Sequence, residues 1–279
     1  ISIYFHDNDY KYAVLTLNKL EKFSTTRGDL LRLYNHYITF YRLLNQHKMV
    51  DYYFDKTFSL YTSPVFRRDR VYSYIQSERY DEALAYLDKN LPKDNQQKNG
   101  LLATIFMYKK DFKKGKIFWE KCYTQVNKEG INSLASRVVY WGYGESLMRE
   151  GKIEKGKVLI QKQIDLHLKI LNSKRKIDQP YSYYQLIHLY AILGNTAKVE
   201  EYISKFEQVN GWMFWNLITF AEIDVQWSYL NSNSLKEYST CLEEIKASIK
   251  KGKKQLEIVQ NQISPYLPNK PDEQLNFLD

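Results

Sequence analysis

The sequence predicts an all-α protein, a solenoid of helix hairpins, and three observations carry that prediction. A small or apolar residue recurs at a matching place in six successive segments: Ala13, Tyr52, Ala83, Gly115, Gly156 and Val199, at steps of 39, 31, 32, 41 and 43 residues. Steps of that size belong to stacked helix pairs, each burying its apolar face only against its neighbours. Glycine and proline number only 11 and 6 in 279 residues, which suits helices joined by short turns. The chain is 44% apolar and 26% charged, enough to pack a core and too apolar for general disorder.

The elements follow in order. Asn8-Asp9-Tyr10 reads as the turn into a second helix carrying Ala13, so Ile1 to His6 is the tail of a first helix. The chain starts at Ile1 without Met and reads as a segment of a longer protein or a mature product, one that a leader, a membrane anchor or a DNA-binding domain could precede. In the second hairpin Tyr52 stands where the others carry a small residue. The third is the clearest: Gln76-Ser77-Glu78-Arg79 breaks the helix, Tyr80 follows, and Ala83 comes three residues later. A small side chain there lets the first helix of the pair lie close, and the apolar residue four positions on covers the same face. Asp111-Phe112 with Gly115 and Lys152-Ile153 with Gly156 repeat the arrangement, and Gly194-Asn195 is a further turn before Val199.

Pro92 closes the third hairpin, because proline cannot continue a helix. Gly130 and Gly151 punctuate helix ends, and Asp178 before Pro180 is a good helix entry. Residues 172–179 are polar and basic and read as an exposed connection. Three regions result: repeats over 1–210 with the first hairpin truncated, capping helices over 211–263, and an extended or disordered tail over 264–279. Within the second region Trp212 to Ile218 starts a short helix, Trp227, Leu230 and Tyr238 mark apolar positions, and a long helix runs from about 235 to 263.

Leu102, Ala103, Phe106, Phe112, Gly115 and Trp119 form one set of positions; Tyr143, Gly144, Leu147, Ile153, Gly156 and Ile160 form a second. Leu186, Ile187, Tyr190, Gly194 and Ile203 form a looser third. In these positions the chain resembles the tetratricopeptide repeat family, and its closing segment resembles the end of repeat regions in bacterial, Bacteroidetes-like, regulatory proteins. The resemblance covers roughly residues 1–210. It implies a right-handed superhelical solenoid with a C-terminal capping helix and a concave groove that holds a protein or peptide partner. The uneven steps depart from pentatricopeptide RNA readers, where a constant period keeps one base per repeat.

Laid on the chain, the family's pattern assigns inner-facing residues to each first helix. These are Tyr34, Tyr37 and Tyr41 with Asn45, then Arg68, Tyr72 and Gln76, then Gly100, Thr104 and Tyr108. The fifth hairpin supplies Trp141, Glu145 and Arg149, and the sixth Tyr181, Tyr184 and His188. So many aromatics on one face mark either an interaction surface or core positions between helices. The Lys and Asn set with which some relatives grip a terminal carboxylate is missing.

Composition bounds the remaining functions. With 41 Lys and Arg against 32 Asp and Glu, the net charge of +9 admits a second reading, a basic helical repeat that binds nucleic acid or an anionic surface. The runs Lys250-Lys251-Gly252-Lys253-Lys254 and Lys109, Lys110, Lys113, Lys114 with Lys116 read as solvated faces. Cys122 and Cys241 read as free structural thiols. The histidines His6, His36, His47, His167 and His188 show no metal-ligand spacing. No phosphate-binding glycine loop, nucleophile elbow or zinc-protease helix is present, so the expectation is a non-enzyme without cofactor or metal. No apolar run approaches the roughly 20 residues of a membrane span.

Overall fold

Twelve α-helices and no strand form among the described residues. The computed structural model describes residues 10–93, 95–131, 138–172, 179–208 and 236–267. The helices are α1 (Tyr10–Glu21), α2 (Arg27–Leu43), α3 (His47–Leu60), α4 (Pro64–Gln76), α5 (Tyr80–Asn90) and α6 (Gln96–Tyr108). They continue with α7 (Phe112–Glu129), α8 (Val139–Arg149), α9 (Ile153–Leu171), α10 (Gln179–Ile192), α11 (Thr196–Glu207) and α12 (Lys236–Ile263), followed by a 3₁₀ turn at Ser264–Tyr266.

One turn geometry is used five times. Asn45, Glu78, Lys110, Gly151 and Gly194 each sit two residues before a second helix, with φ of 55°, 56°, 61°, 81° and 72°. The next residue, Gln46, Arg79, Asp111, Lys152 or Asn195, has φ between −91° and −86°. Its amide donates to the carbonyl five residues back: Gln46 to Tyr41, Arg79 to Tyr74, Asp111 to Phe106, Lys152 to Leu147, Asn195 to Tyr190. The left-handed residue donates three back in every case. This is the Schellman closure, which satisfies carbonyls that a helix end leaves open. Asp111 and Asn195 add a side-chain cap, accepting from the amides of Lys114 and Lys198.

Two of these left-handed positions are held by Glu78 and Lys110, where a Cβ costs roughly 1 kcal/mol. Glu78→Gly is therefore expected to raise stability by about that amount, and Gly151→Ala to lower it by a similar amount. Urea midpoints of the two variants measure both signs.

The same register explains the recurring small residue, which is the fourth residue of its helix in α1, α5, α7, α9 and α11. Ala13, Ala83 and Val199 have no exposure, and Gly115 and Gly156 are buried. The expected mark at Tyr52 is corrected here. The fourth residue of α3 is Val50, fully buried, while Tyr52 is half-buried beside it. Moving the mark to Val50 puts Tyr53 and Phe54 on the buried face of α3, where both are 1% exposed.

The chain packs as two units. Of the described residues, the first comprises 10–73 and 251–267. In it α2 pairs with α3, and α1 packs on α2 and on the 3₁₀ turn. The Asn18 side-chain amide donates to the Tyr266 carbonyl at 2.8 Å, and Gln260 donates to the Leu43 carbonyl at the end of α2. Ser264 and Pro265, at the start of the expected tail, are exposed, while Leu267 is buried.

The second unit comprises the described residues within 74–208 together with 236–250. Here α6 pairs with α7, α8 with α9 and α10 with α11. Successive pairs touch through α7 with α8 and α9 with α10, and α6 also reaches α8. Helices α8 and α9 cross closely. A Cβ on Gly156 would lie 2.2 Å from Met148 Cγ and 2.6 Å from the Gly144 carbonyl oxygen. Ser248 on α12 donates to Glu207 of α11 at 3.1 Å. Along α12 itself, Ile245, Ile249, Leu256, Val259 and Ile263 are buried at helical spacing, and the lysines between them are exposed. The expected capping positions Trp212, Trp227 and Leu230 lie outside the described residues.

Candidate functional site

The residues assigned to the inner face separate by burial. Tyr37 and Tyr41 have no exposure in the first unit. In the second, Tyr108, Trp141, Tyr184 and His188 are buried and Glu145 is fully enclosed. Tyr34, Arg68, Tyr72 and Arg149 are half-buried, and Tyr181 is exposed at 37%. The fold thus holds seven of the twelve in its interior and leaves five within reach of solvent.

In the first unit the tyrosines form a stack that crosses from α2 to α3. Tyr53 lies 4.6 Å from Tyr37 and 5.5 Å from Tyr41 between near-parallel rings, and 5.7 Å from Tyr34. The Tyr37 hydroxyl donates to Glu21 Oε2 at 2.7 Å and lies 3.0 Å from Asn18 Oδ1. Burial, and then the neighbouring Glu21 carboxylate, push the Tyr37 and Tyr41 phenols above their ordinary range, so both stay neutral. Tyr53 was missed from sequence because Tyr52 held the register mark. Arg68, on α4, is paired with the adjacent Asp69 at 2.7 Å.

In the second unit two first helices converge. Trp141, Glu145 and Arg149 recur every four residues on α8 and so share one face. The Trp141 indole donates to Glu145 Oε2 at 2.9 Å, and Arg149 Nη2 approaches Glu145 Oε1 at 3.4 Å. The Arg149 guanidinium also lies over the Phe112 ring, 3.9 Å from its centre, a cation–π contact. On α10, His188 stacks on Trp141 at 5.9 Å and meets the edge of Tyr184 at 4.9 Å. Trp141, Glu145, Arg149, Tyr184 and His188 are therefore brought together. Tyr181 meets His167 edge-on at 6.1 Å.

His167 is a hydrogen-bonded interior residue. Its ring nitrogens lie 3.1 Å from Gln163 Nε2 and 3.3 Å from Ser182 Oγ, all three residues being buried. Cys122 is buried with its thiol 3.8 Å from the Gln96 carbonyl, and burial pushes its pKa up to about 12, which makes it unreactive. Among the described residues no group of three His, Cys, Asp or Glu side chains is placed to hold a metal ion, and no helix is long and apolar enough to cross a membrane.

His188 carries a pH consequence. Its Nδ1 is buried without a hydrogen-bond partner, and desolvation lowers the ring's pKa to about 4. Unfolded histidine titrates near 6.5. Between those values the unfolded chain binds the extra proton, so stability falls as pH drops from about 6.5 to about 4. The loss is on the order of 3 kcal/mol across the window. His188→Phe keeps a ring against Trp141 and is expected to flatten that part of the curve. Urea unfolding at neutral pH and near pH 4.5, for both proteins, measures it.

Comparison with protein-family models found none that matches the chain, and comparison with curated proteins found no match either.

Proposed function

We propose that the chain is a protein- or peptide-binding helical repeat of the tetratricopeptide type, arranged as a right-handed solenoid, without enzymatic activity. It would serve as the sensory or scaffolding part of a larger bacterial regulatory protein. One observation carries the reading: five hairpins close with the same left-handed turn, and each second helix has a buried small or β-branched residue at its fourth position. Repeated units of this kind hold side chains in fixed register, which suits capture of an extended partner better than chemistry at one point.

The buried members of the inner set act as the frame in this reading, and the half-buried ones make the contact. In the second unit Trp141 and Glu145 hold Arg149 in place, and Phe112 supports its guanidinium from below. A fixed guanidinium loses little side-chain entropy on binding and can fork onto a carboxylate or backbone carbonyl of the partner. Tyr181 offers an amphipathic ring with two rotatable bonds. In the first unit Tyr34, Arg68 and Tyr72 have the corresponding exposure.

A random-peptide display library selected on the whole chain tests this. Enriched peptides whose binding is lost in the Arg149→Ser, Tyr181→Ala variant support the reading. Peptides retained equally by the variant and by Tyr34→Ala, Arg68→Ser, Tyr72→Ala refute it. None of these substitutions empties a fully buried site, so loss of binding is separable from unfolding by circular dichroism.

A further inference from the structure

The positive charge of the chain is concentrated rather than spread. The described residues between Lys109 and Lys169 hold thirteen Lys and Arg against seven Asp and Glu, most of the chain's excess of +9. Much of that charge lies at the turn ends of the fourth and fifth hairpins. Lys109, Lys110, Lys113 and Lys114 surround the start of α7, and Lys152 and Lys155 surround the start of α9. All six are exposed.

Ion pairs tie successive turns of the second unit together. Lys109 Nζ lies 2.6 Å from Asp81 at the start of α5. Lys116 Nζ, on α7, lies 2.6 Å from Glu150 in the next turn, which also pairs with Lys152 at 3.1 Å. These bridges align successive hairpin turns into one edge. Lysines separated by some forty residues of sequence thereby become neighbours on it.

The placement opposes local helix electrostatics. The N-terminus of a helix carries partial positive charge, so a cation in the first turn is destabilising, typically by 0.3–1 kcal/mol. Yet Lys113 and Lys114 are the second and third residues of α7, which has no acid in its first turn, and Lys155 is the third residue of α9. Asp111 offsets one of them, capping the Lys114 amide and pairing with its ammonium at 3.1 Å. Lys110, Lys113 and Lys155 make no ion pair among the described residues. Glu154 shares the first turn of α9 with Lys155, so the unfavourable placement is fullest at α7, whose first turn holds Lys113 and Lys114 and no acid; a sequence that breaks a local rule there points to a compensating contact outside the fold.

We propose that this turn edge docks an acidic polypeptide segment. Asp111, Glu150 and Glu154 are interspersed among the lysines. They would oppose the close, unbroken phosphates of a nucleic acid, whereas Asp and Glu side chains of a peptide can be spaced to avoid them. The cations of the edge are lysines, which present compact point charges rather than the forked donors that suit phosphate. Arg149 of the inner-face set adjoins this edge through Phe112, and the test substitutes none of the inner-face residues.

The experiment is fluorescence anisotropy at low salt with the whole chain and a short labelled peptide of alternating Glu and Gly. Binding that weakens about tenfold or more in Lys110→Glu, Lys113→Glu, Lys155→Glu is the expected result. It should be unchanged in the charge-matched control Lys19→Glu, Lys22→Glu, Lys48→Glu. The edge variant is also expected to melt at a higher temperature, since acids replace cations at two helix starts. The proposal is overturned if the native chain does not bind the peptide, or if the control loses as much as the edge variant. It is equally overturned if a single-stranded DNA of the same charge binds more tightly through the same lysines, or if the edge variant melts lower.

Discussion

Gly156→Ala is expected to destabilise the protein by about 3 kcal/mol, although alanine is the better helix former by about 1 kcal/mol. The reason is what the added methyl would meet. It would lie 2.6 Å from the carbonyl oxygen of Gly144 and 2.2 Å from Met148 Cγ. A methionine side chain can rotate away, but the carbonyl belongs to the backbone of α8 and moves only if the helix moves. Gly144 in turn would place a methyl 3.0 Å from the Gly156 carbonyl, so the crossing is glycine on glycine.

Gly115→Ala supplies the contrast. Its nearest neighbours are Met107 Sδ at 2.8 Å and Met107 Cγ at 3.0 Å, with the Ala103 carbonyl farther off at 3.4 Å. There the flexible thioether gives way, and the gain in helix propensity offsets most of the strain. Urea midpoints should fall steeply for Gly156→Ala and change by less than about 1 kcal/mol for Gly115→Ala. Equal losses would mean that helix spacing, rather than the identity of the opposing atom, sets tolerance at the fourth position.

The second large effect lies at Glu145. Glu145→Ala is expected to cost about 3–5 kcal/mol, because it strips an enclosed partner from both the Trp141 indole and the Arg149 guanidinium. The loss comes from leaving polar groups buried and unmatched, more than from the worth of the pair. Glu145→Gln retains an oxygen to accept from Trp141 and should lose roughly half as much. Trp141→Phe combined with Glu145→Leu removes donor and acceptor together and should be milder than Glu145→Ala alone. Thermal unfolding of the three variants ranks them. If the double variant is the worst, the cluster is held by its packing and the hydrogen bond contributes little.

Much of the hairpin geometry was legible in the sequence because it is local. Turn residues such as Glu78-Arg79 and Gly194-Asn195 act over five or six positions, and the small residue that follows needs only the adjacent helix to justify it. The register failed at the second hairpin for an equally local reason. Val50 and Tyr52 both lie early in α3, and with aromatics on either side the apolar pattern does not say which of them meets α2.

Which residues share one side of a helix was legible. Tyr37 and Tyr41, or Trp141, Glu145 and Arg149, do share one side of their helices, as their four-residue spacing requires. Whether that side meets solvent was not legible. A helical period tells which residues point together, but exposure depends on segments distant in sequence that pack over them. The stack of Tyr53 on Tyr37 and the stack of His188 on Trp141 each join residues that no spacing rule connects.

What the sequence by itself determined, then, is the all-helical class, the hairpin unit, its turn and its close-packed fourth position. Each of these is set by backbone sterics and neighbouring side chains. Only the tertiary structure decided that Tyr37, Tyr41, Glu145 and His188 are interior while Arg149 and Tyr181 reach solvent. It also decided that lysines from separate hairpins share one edge. Burial and charge proximity are sums over the whole surroundings of a residue, and those surroundings exist only once the helices have packed.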